Sequence, residues 1–113
     1  MALPPVVEGW THPIDVVLKV GGQPYAFDPA DTVTLLLKTQ DGREIDTTGN
    51  VTILAVDPAA TPPVTAGTVR FSPDASDFRV KDGPYLARWK VTTATGIFFC
   101  PNDREERWSV RVP

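Results

Sequence analysis

The sequence is poor in the residues that build metal sites, disulfides and catalytic centres. Its 113 residues include one cysteine, Cys100, and one histidine, His12. A single cysteine cannot form an internal disulfide, and the two residues fall short of the four ligands of a classical structural zinc site. These shortages exclude a disulfide-stapled scaffold and a zinc-finger-like module, and we expect no cofactor.

Long apolar runs and clustered basic residues are also missing. No apolar stretch approaches the roughly 20 residues of a membrane-spanning helix, and residues 1–7 lack the basic start and long apolar stretch of a signal peptide. Lysine and arginine occur singly in a chain of formal net charge −3. Phosphate contacts are therefore disfavoured, and neither nucleic acid nor a membrane is an expected partner.

The chain does have a normal hydrophobic content, many chain breakers and a clear alternation of apolar and polar residues. Twelve prolines and eight glycines cut it into short segments, which favours strands over helices. A single helical turn is predicted within Pro73–Arg79. Alternation, turn signals and short apolar runs together predict strands over residues 14–20, 32–39, 43–46, 51–56, 67–72, 84–92, 97–100 and 107–112.

The phase of this alternation assigns side chains to the core or to the surface. Trp89 and Trp108 fall on apolar phases and are predicted to be buried, as is Val20 on the face shared by Ile14, Val16 and Leu18. The outward phases carry a set of basic residues that either forms a solvated face or contacts an acidic partner. This basic set is Arg88, Lys90, Arg107 and Arg111.

The repeated short strands predict an all-β sandwich or barrel. The segment around Tyr85 favours an immunoglobulin-like (Ig-like) β-sandwich of about seven antiparallel strands. The segment Asp82-Gly83-Pro84-Tyr85 opens the longest alternating strand. In Ig-type domains a tyrosine at this point returns its hydroxyl to the upstream backbone, and a preceding glycine relieves crowding. Ala87 would then occupy the usual cysteine position. The other interpretation of Tyr85 is an ordinary half-buried strand tyrosine.

Residues 1–13 are predicted to form an extended N-terminal arm, because Pro4, Pro5 and Pro13 disfavour a helix, and residues 14–113 to form the single domain. The arm is apolar for a free tail, so it packs either on its own domain or on a neighbouring subunit. Its candidate protein-contact residues are Leu3, Val6, Val7 and Trp10.

Candidate chemical groups are few. His12 lies in the arm, and Cys100 lies in an apolar strand, where core packing is the simpler interpretation. Acidic residues occur in predicted loops, where they serve either as turn formers or as calcium ligands. These residues are Asp28, Asp31, Asp74, Asp77 and Asp82, with a further group at Asp103, Glu105 and Glu106. No pair of carboxylates is singled out for catalysis, so no catalytic or metal-binding residue is assigned.

Several segments occur in an order that resembles bacteriophage structural proteins. They are Asp41-Gly42, Gly67-Thr68-Val69-Arg70-Phe71, Asp77, Gly83-Pro84-Tyr85-Leu86-Ala87-Arg88-Trp89, Gly96 and Phe99-Cys100-Pro101-Asn102. Together they resemble the N-terminal β-sandwich domain of phage baseplate upper proteins and small Ig-like virion proteins. The resemblance covers residues 14–112 and rests on turn glycines and core aromatics.

The resemblance implies a non-enzymatic structural subunit of a phage particle, located in the tail, neck, baseplate or capsid surface. Such a protein would be made in the host cytoplasm and would contact other virion proteins in a symmetric assembly. The main alternative is a carbohydrate- or ligand-binding β-sandwich module, for which Trp10 is the candidate contact. A third alternative is an accessory domain of an enzyme.

Overall fold

The strands follow from the alternating segments of the sequence and are separated by glycine and proline turns. The structure is a computed structural model that describes residues 6–61, 63–100 and 106–111. In chain order its strands are β1 (Val6–Val7), β2 (Ile14–Val17), β3 (Lys19–Val20), β4 (Gln23–Pro24), β5 (Thr32–Lys38), β6 (Glu44–Ile45), β7 (Val51–Ile53), β8 (Thr68–Phe71), β9 (Tyr85–Thr93), β10 (Gly96–Cys100), β11 (Glu106–Trp108) and β12 (Val110–Arg111). The protein is all-β, as predicted.

Two antiparallel sheets contain most of the strands. The larger sheet has the order β10-β9-β5-β6, with β11 also paired to β9, and the smaller sheet has the order β2-β8-β7. Strand β1 pairs in parallel with β12, and β3 pairs with β4 as a separate hairpin. Among the described residues, no helix is long and apolar enough to cross a membrane.

Both sheets contribute to one core. The alternation of β5 and β9 sends Leu35, Leu37, Ala87, Trp89 and Val91 inward, where each is at most 4% exposed. The smaller sheet adds apolar residues from β2 and β8, and loop residue Phe78 fills the centre. Trp89 and Trp108 are 4% and 1% exposed, so the prediction that both tryptophans are core residues is confirmed.

Tyr85 ties the start of β9 to the preceding loop. Its ring is fully buried and packs edge-on against Phe78, and its hydroxyl accepts a hydrogen bond from the Arg79 backbone N–H at 2.9 Å. The predicted return of this hydroxyl to the upstream backbone is confirmed. Gly83 is not needed to relieve crowding, since an added Cβ would lie 3.6 Å from Val110, an ordinary contact.

One local prediction is wrong. The strand predicted over 14–20 breaks at Leu18, whose N–H donates to the Gly67 carbonyl, and the chain then leaves the smaller sheet to form β3. Val20 is consequently 50% exposed instead of buried. The single turn predicted within Pro73–Arg79 is present, since the Asp77 N–H donates to the Asp74 carbonyl at 3.0 Å, whereas the 3-10 turn that follows at Val80–Asp82 was not predicted.

Replacement of Tyr85 by phenylalanine should destabilise the fold, because it leaves the Arg79 N–H without its acceptor in a part-buried site. We expect a loss of about 1–3 kcal/mol in the free energy of unfolding. The measurement is urea denaturation followed by tryptophan fluorescence.

Tyr25→Phe is the matched control, since the Tyr25 hydroxyl donates to Asp31 Oδ2 at 3.1 Å from a ring that is only half-buried. This variant should lose less stability than Tyr85→Phe, because Asp31 Oδ2 keeps the hydrogen bond from the Asp28 N–H. Equal losses for the two variants would contradict a special role for Tyr85.

Gly67 is the one described glycine at which both backbone conformation and space require the absence of a side chain. Its φ is +84°, and an added Cβ would lie 2.7 Å from the Leu18 carbonyl oxygen and 3.0 Å from the Tyr25 nitrogen. Gly67→Ala should therefore cost more stability than Gly42→Ala, where φ is +90° but no atom lies within 4 Å. Because both glycines have a positive φ, the difference between the urea midpoints of the two variants measures the steric clash at residue 67 alone. Equal midpoints would contradict the close approach of the Leu18 and Tyr25 backbones to Gly67.

Candidate protein-contact surface

The N-terminal arm is hydrogen-bonded to its own domain over the described residues. The Val6 N–H donates to the Ser109 carbonyl at 3.0 Å, and the Glu8 N–H donates to the Arg111 carbonyl at 2.9 Å. Val6 is 5% exposed and belongs to the core. Its side chain therefore lies inside the domain and not on a contact surface, because parallel pairing with β12 directs it there.

The other arm candidates have different positions. Val7 and Trp10 are half-buried, and Leu3 lies outside the described residues. The Trp10 indole N–H donates to the His12 carbonyl at 3.0 Å, and its ring meets the His12 imidazole edge-on at 5.5 Å. Trp10 is thus partly packed against the core instead of standing free over a sugar-binding groove. Contacts of Val7 and Trp10 with a partner stay a prediction.

The side of the larger sheet that faces away from the core forms a broad surface, which we call the outer face. Its members are set by the registers of β5, β6, β9, β10 and β11, because residues opposite one another in a ladder share a face. They are Thr32, Thr34, Leu36, Lys38, Glu44, Leu86, Arg88, Lys90, Thr92, Ile97, Phe99 and Arg107.

Charge on the outer face is strongly one-sided. Among the described residues, four basic side chains lie there, Lys38, Arg88, Lys90 and Arg107, against one acidic side chain, Glu44, with a second, Asp46, in the adjoining groove. Three of the four, Arg88, Lys90 and Arg107, were predicted to point outward, and the register confirms that orientation. The fourth predicted residue, Arg111, is exposed on β12 beside the arm.

Apolar side chains lie among these cations. Leu36 and Ile97 are 41% and 55% exposed, and the Arg88 guanidinium sits 4.3 Å from the centre of the Phe99 ring. A groove of about 700 Å³ runs beside β5 and β6, with Leu36, Arg88 and Glu44 in its lining. Sequence reasoning missed these apolar residues, although an apolar residue on the polar phase, as Leu36 is between Leu35 and Leu37, is a readable signal.

The candidate catalytic groups do not form a reactive site. Cys100 is 8% exposed, its thiol faces the Lys19 carbonyl at 3.7 Å, and burial raises the pKa of that thiol. A raised pKa leaves less thiolate, the nucleophilic form, at neutral pH. His12 is exposed on the arm and its ring contacts Trp10.

The loop carboxylates act as turn formers. Asp31 Oδ2 accepts the Asp28 N–H at 3.0 Å, and Asp77 Oδ2 accepts the Asp74 N–H at 2.8 Å. Asp82 pairs with Arg43 at 3.0 Å. Within residues 6–61, 63–100 and 106–111, no three His, Cys, Asp or Glu side chains are grouped to hold a metal ion. Asp103 and Glu105 lie outside the described residues.

Asp77 makes the stability of the fold depend on pH. Burial raises the pKa of this carboxyl, the Asp74 N–H opposes the rise, and the negative charges of Asp74 and Asp46 add to it. The folded state therefore holds the proton more tightly than the unfolded state, and this contribution to stability is lost as pH rises through the folded pKa. Asp77→Asn keeps an acceptor for the Asp74 N–H and removes the charge. Relative to the parent, this variant should gain stability as pH is raised from about 3 to about 7.

Asp41→Asn provides a control of opposite sign. The hydrogen bond from the Thr39 hydroxyl lowers the pKa of Asp41, so its contribution is present at neutral pH and is lost as pH falls through the folded pKa. Urea midpoints measured across the pH series should diverge in opposite directions for the two variants. A difference in urea midpoint between Asp77→Asn and the parent that stays the same at every pH would contradict the assigned environment of Asp77.

Comparison with protein families, curated proteins and solved structures found no match to this chain. The fold and the outer face are therefore the observations from which a function has to be argued.

Proposed function

We propose that the chain is a non-enzymatic structural subunit of a bacteriophage particle that works by protein–protein contact, with the outer face as its main contact surface. The observation that carries the proposal is the combination, on that one face, of exposed Leu36 and Ile97 with Arg88, Lys90 and Arg107. Apolar residues surrounded by one sign of charge are typical of a protein interface, and the excess of positive charge favours an acidic partner.

The fold proposed for this subunit is the Ig-like β-sandwich of about seven strands. The order of the smaller sheet, β2-β8-β7, agrees with strands B, E and D of an Ig domain. The order of the larger sheet agrees with strands C′, C, F and G, where β6, β5 and β9 supply the first three and the segment from β10 to β12 supplies the last.

The neighbourhood of Tyr85 adds independent support. In Ig domains a tyrosine near the start of strand F bonds to backbone a few residues upstream, two residues before a core cysteine. Tyr85 opens β9, accepts from Arg79, and precedes the buried Ala87 by two residues. Without a cysteine at Ala87, packing against aromatic neighbours holds this region together.

The phage assignment is supported by the resemblance stated for residues 14–112. Several of the residues that carry it are turn glycines or core aromatics, whereas Phe99 lies on the outer face. Gly42 and Gly67 have positive φ in turns, and Phe71, Tyr85 and Trp89 are buried in the core. These agreements concern scaffold positions, and the outer face adds the contact function.

The composition of the particle tests the proposal. Particles produced from the genome that encodes the chain should contain it at a fixed ratio to the major capsid protein, measured by quantitative mass spectrometry of the purified particles. Lys90→Glu reverses one charge at the centre of the outer face and should lower incorporation by about tenfold or more, since like charges at an interface are repulsive.

Lys81→Glu is the matched control, because Lys81 is exposed in the 3-10 turn and is not one of the outer-face residues. The Lys81→Glu variant should be incorporated into particles to the same extent as the parent. Absence of the chain from particles while it accumulates in the lysate would overturn the proposal, and equal incorporation of the two variants would overturn the role of the outer face.

A further inference from the structure

Strand β10 leaves one edge of the larger sheet open. It is the end strand of its sheet, and no strand among the described residues pairs with its far side. Thr93 and Gly96 close a tight hairpin, so hydrogen bonding to β9 alternates from that pair onward. Phe98 and Cys100 therefore bond to β9, whereas the backbone N–H and C=O groups of Ile97 and Phe99 point away from the sheet.

The open edge lacks the features that normally prevent pairing with another chain. Natural edges are blocked by charged side chains, proline, bulges or shortness. The segment Gly96–Cys100 has no charge and no proline and forms five consecutive ladder pairs. By contrast, β6 has two residues and carries Glu44, β7 has three residues, and β2 follows Pro13 and carries Asp15.

We propose that β10 pairs antiparallel with β10 of a second copy of this chain, about a two-fold axis at Phe98. In this register Ile97 lies opposite Phe99 of the second copy, and Phe99 lies opposite its Ile97. Because both residues direct their backbone groups outward, each opposition forms a reciprocal pair of hydrogen bonds. The two larger sheets become one continuous sheet.

Charge and shape favour a second copy as the occupant. The edge is uncharged, so two copies bring neither like charges nor unpaired charges together at the junction. On the outer face, exposed Ile97 would cover the ring of Phe99 across the interface, and the facing pairs are identical on both sides of the axis. The Arg88 guanidinium already lies against the Phe99 ring on the side of β9. The side of the ring toward the sheet edge is therefore left for Ile97 of the second copy.

This pairing goes beyond the proposed function and does not depend on it. An acidic partner on the outer face and a second copy at the β10 edge share the Ile97 side chain but differ in their other groups, the side-chain charges in one case and the backbone of Ile97 and Phe99 in the other. A chain that is monomeric but still incorporated into particles would overturn only the pairing. A dimeric chain that is absent from particles would overturn only the proposed function.

Sedimentation analysis of the purified chain tests the pairing. The parent should be a dimer, and Ile97→Lys should raise the dissociation constant by about tenfold or more, a change of ~1.4 kcal/mol per tenfold. Val56→Lys places the same charge at an apolar residue that is 62% exposed in the loop after β7, and it should dimerise as the parent does. Tryptophan fluorescence confirms that each variant is folded.

A mixing experiment tests the register. Ile97→Lys and Phe99→Glu should each dimerise poorly alone. When the two are mixed, the ammonium group introduced by Ile97→Lys faces the carboxylate introduced by Phe99→Glu in the other chain. The second opposition keeps Phe99 against Ile97, so a heterodimer should form. A monomeric parent, equal dimerisation of Ile97→Lys and Val56→Lys, or no heterodimer on mixing would overturn the proposal.

Discussion

The register between β5 and β9 is the constraint on which the rest of the structure depends. The two strands pair from Thr32 opposite Thr92 to Lys38 opposite Leu86. Because side chains alternate between faces, this single register places Leu35 and Trp89 in the core and Leu36 and Arg88 on the outer face. A slip of one residue would exchange the two sets. The hydrophobic core and the candidate contact surface are therefore two consequences of one pairing.

Long alternating segments could be predicted from the sequence, because burial of one face imposes a period of two that a reader can see. This applies to β5 and β9, and to the core positions of Trp89 and Trp108, whereas β10 was predicted as a short apolar run that Pro101 ends. Strands of two residues have no such period, so β1 and β4 were missed. Val20 was misassigned because its strand changes partner after Leu18, a tertiary event that leaves the alternation of apolar residues unbroken.

The candidate site was predictable only in part. The outward direction of Arg88, Lys90 and Arg107 follows from alternation, and the apolar character of the arm is visible in its composition. The burial of Val6 was not predictable, since it requires parallel pairing with β12, which is distant along the chain. The open edge at β10 depends likewise on which strand ends the sheet, and strand order is set by packing of the whole domain.

The central claim is that this chain meets other proteins through the outer face and edge of its larger sheet. Hydrogen–deuterium exchange of the chain, alone at low concentration and again within purified particles, tests it most directly. The account predicts that protection rises at the outward amides of Ile97 and Phe99 in β10, while the smaller sheet of β2, β8 and β7 exchanges at an unchanged rate. Protection that rises only in the smaller sheet would contradict the account.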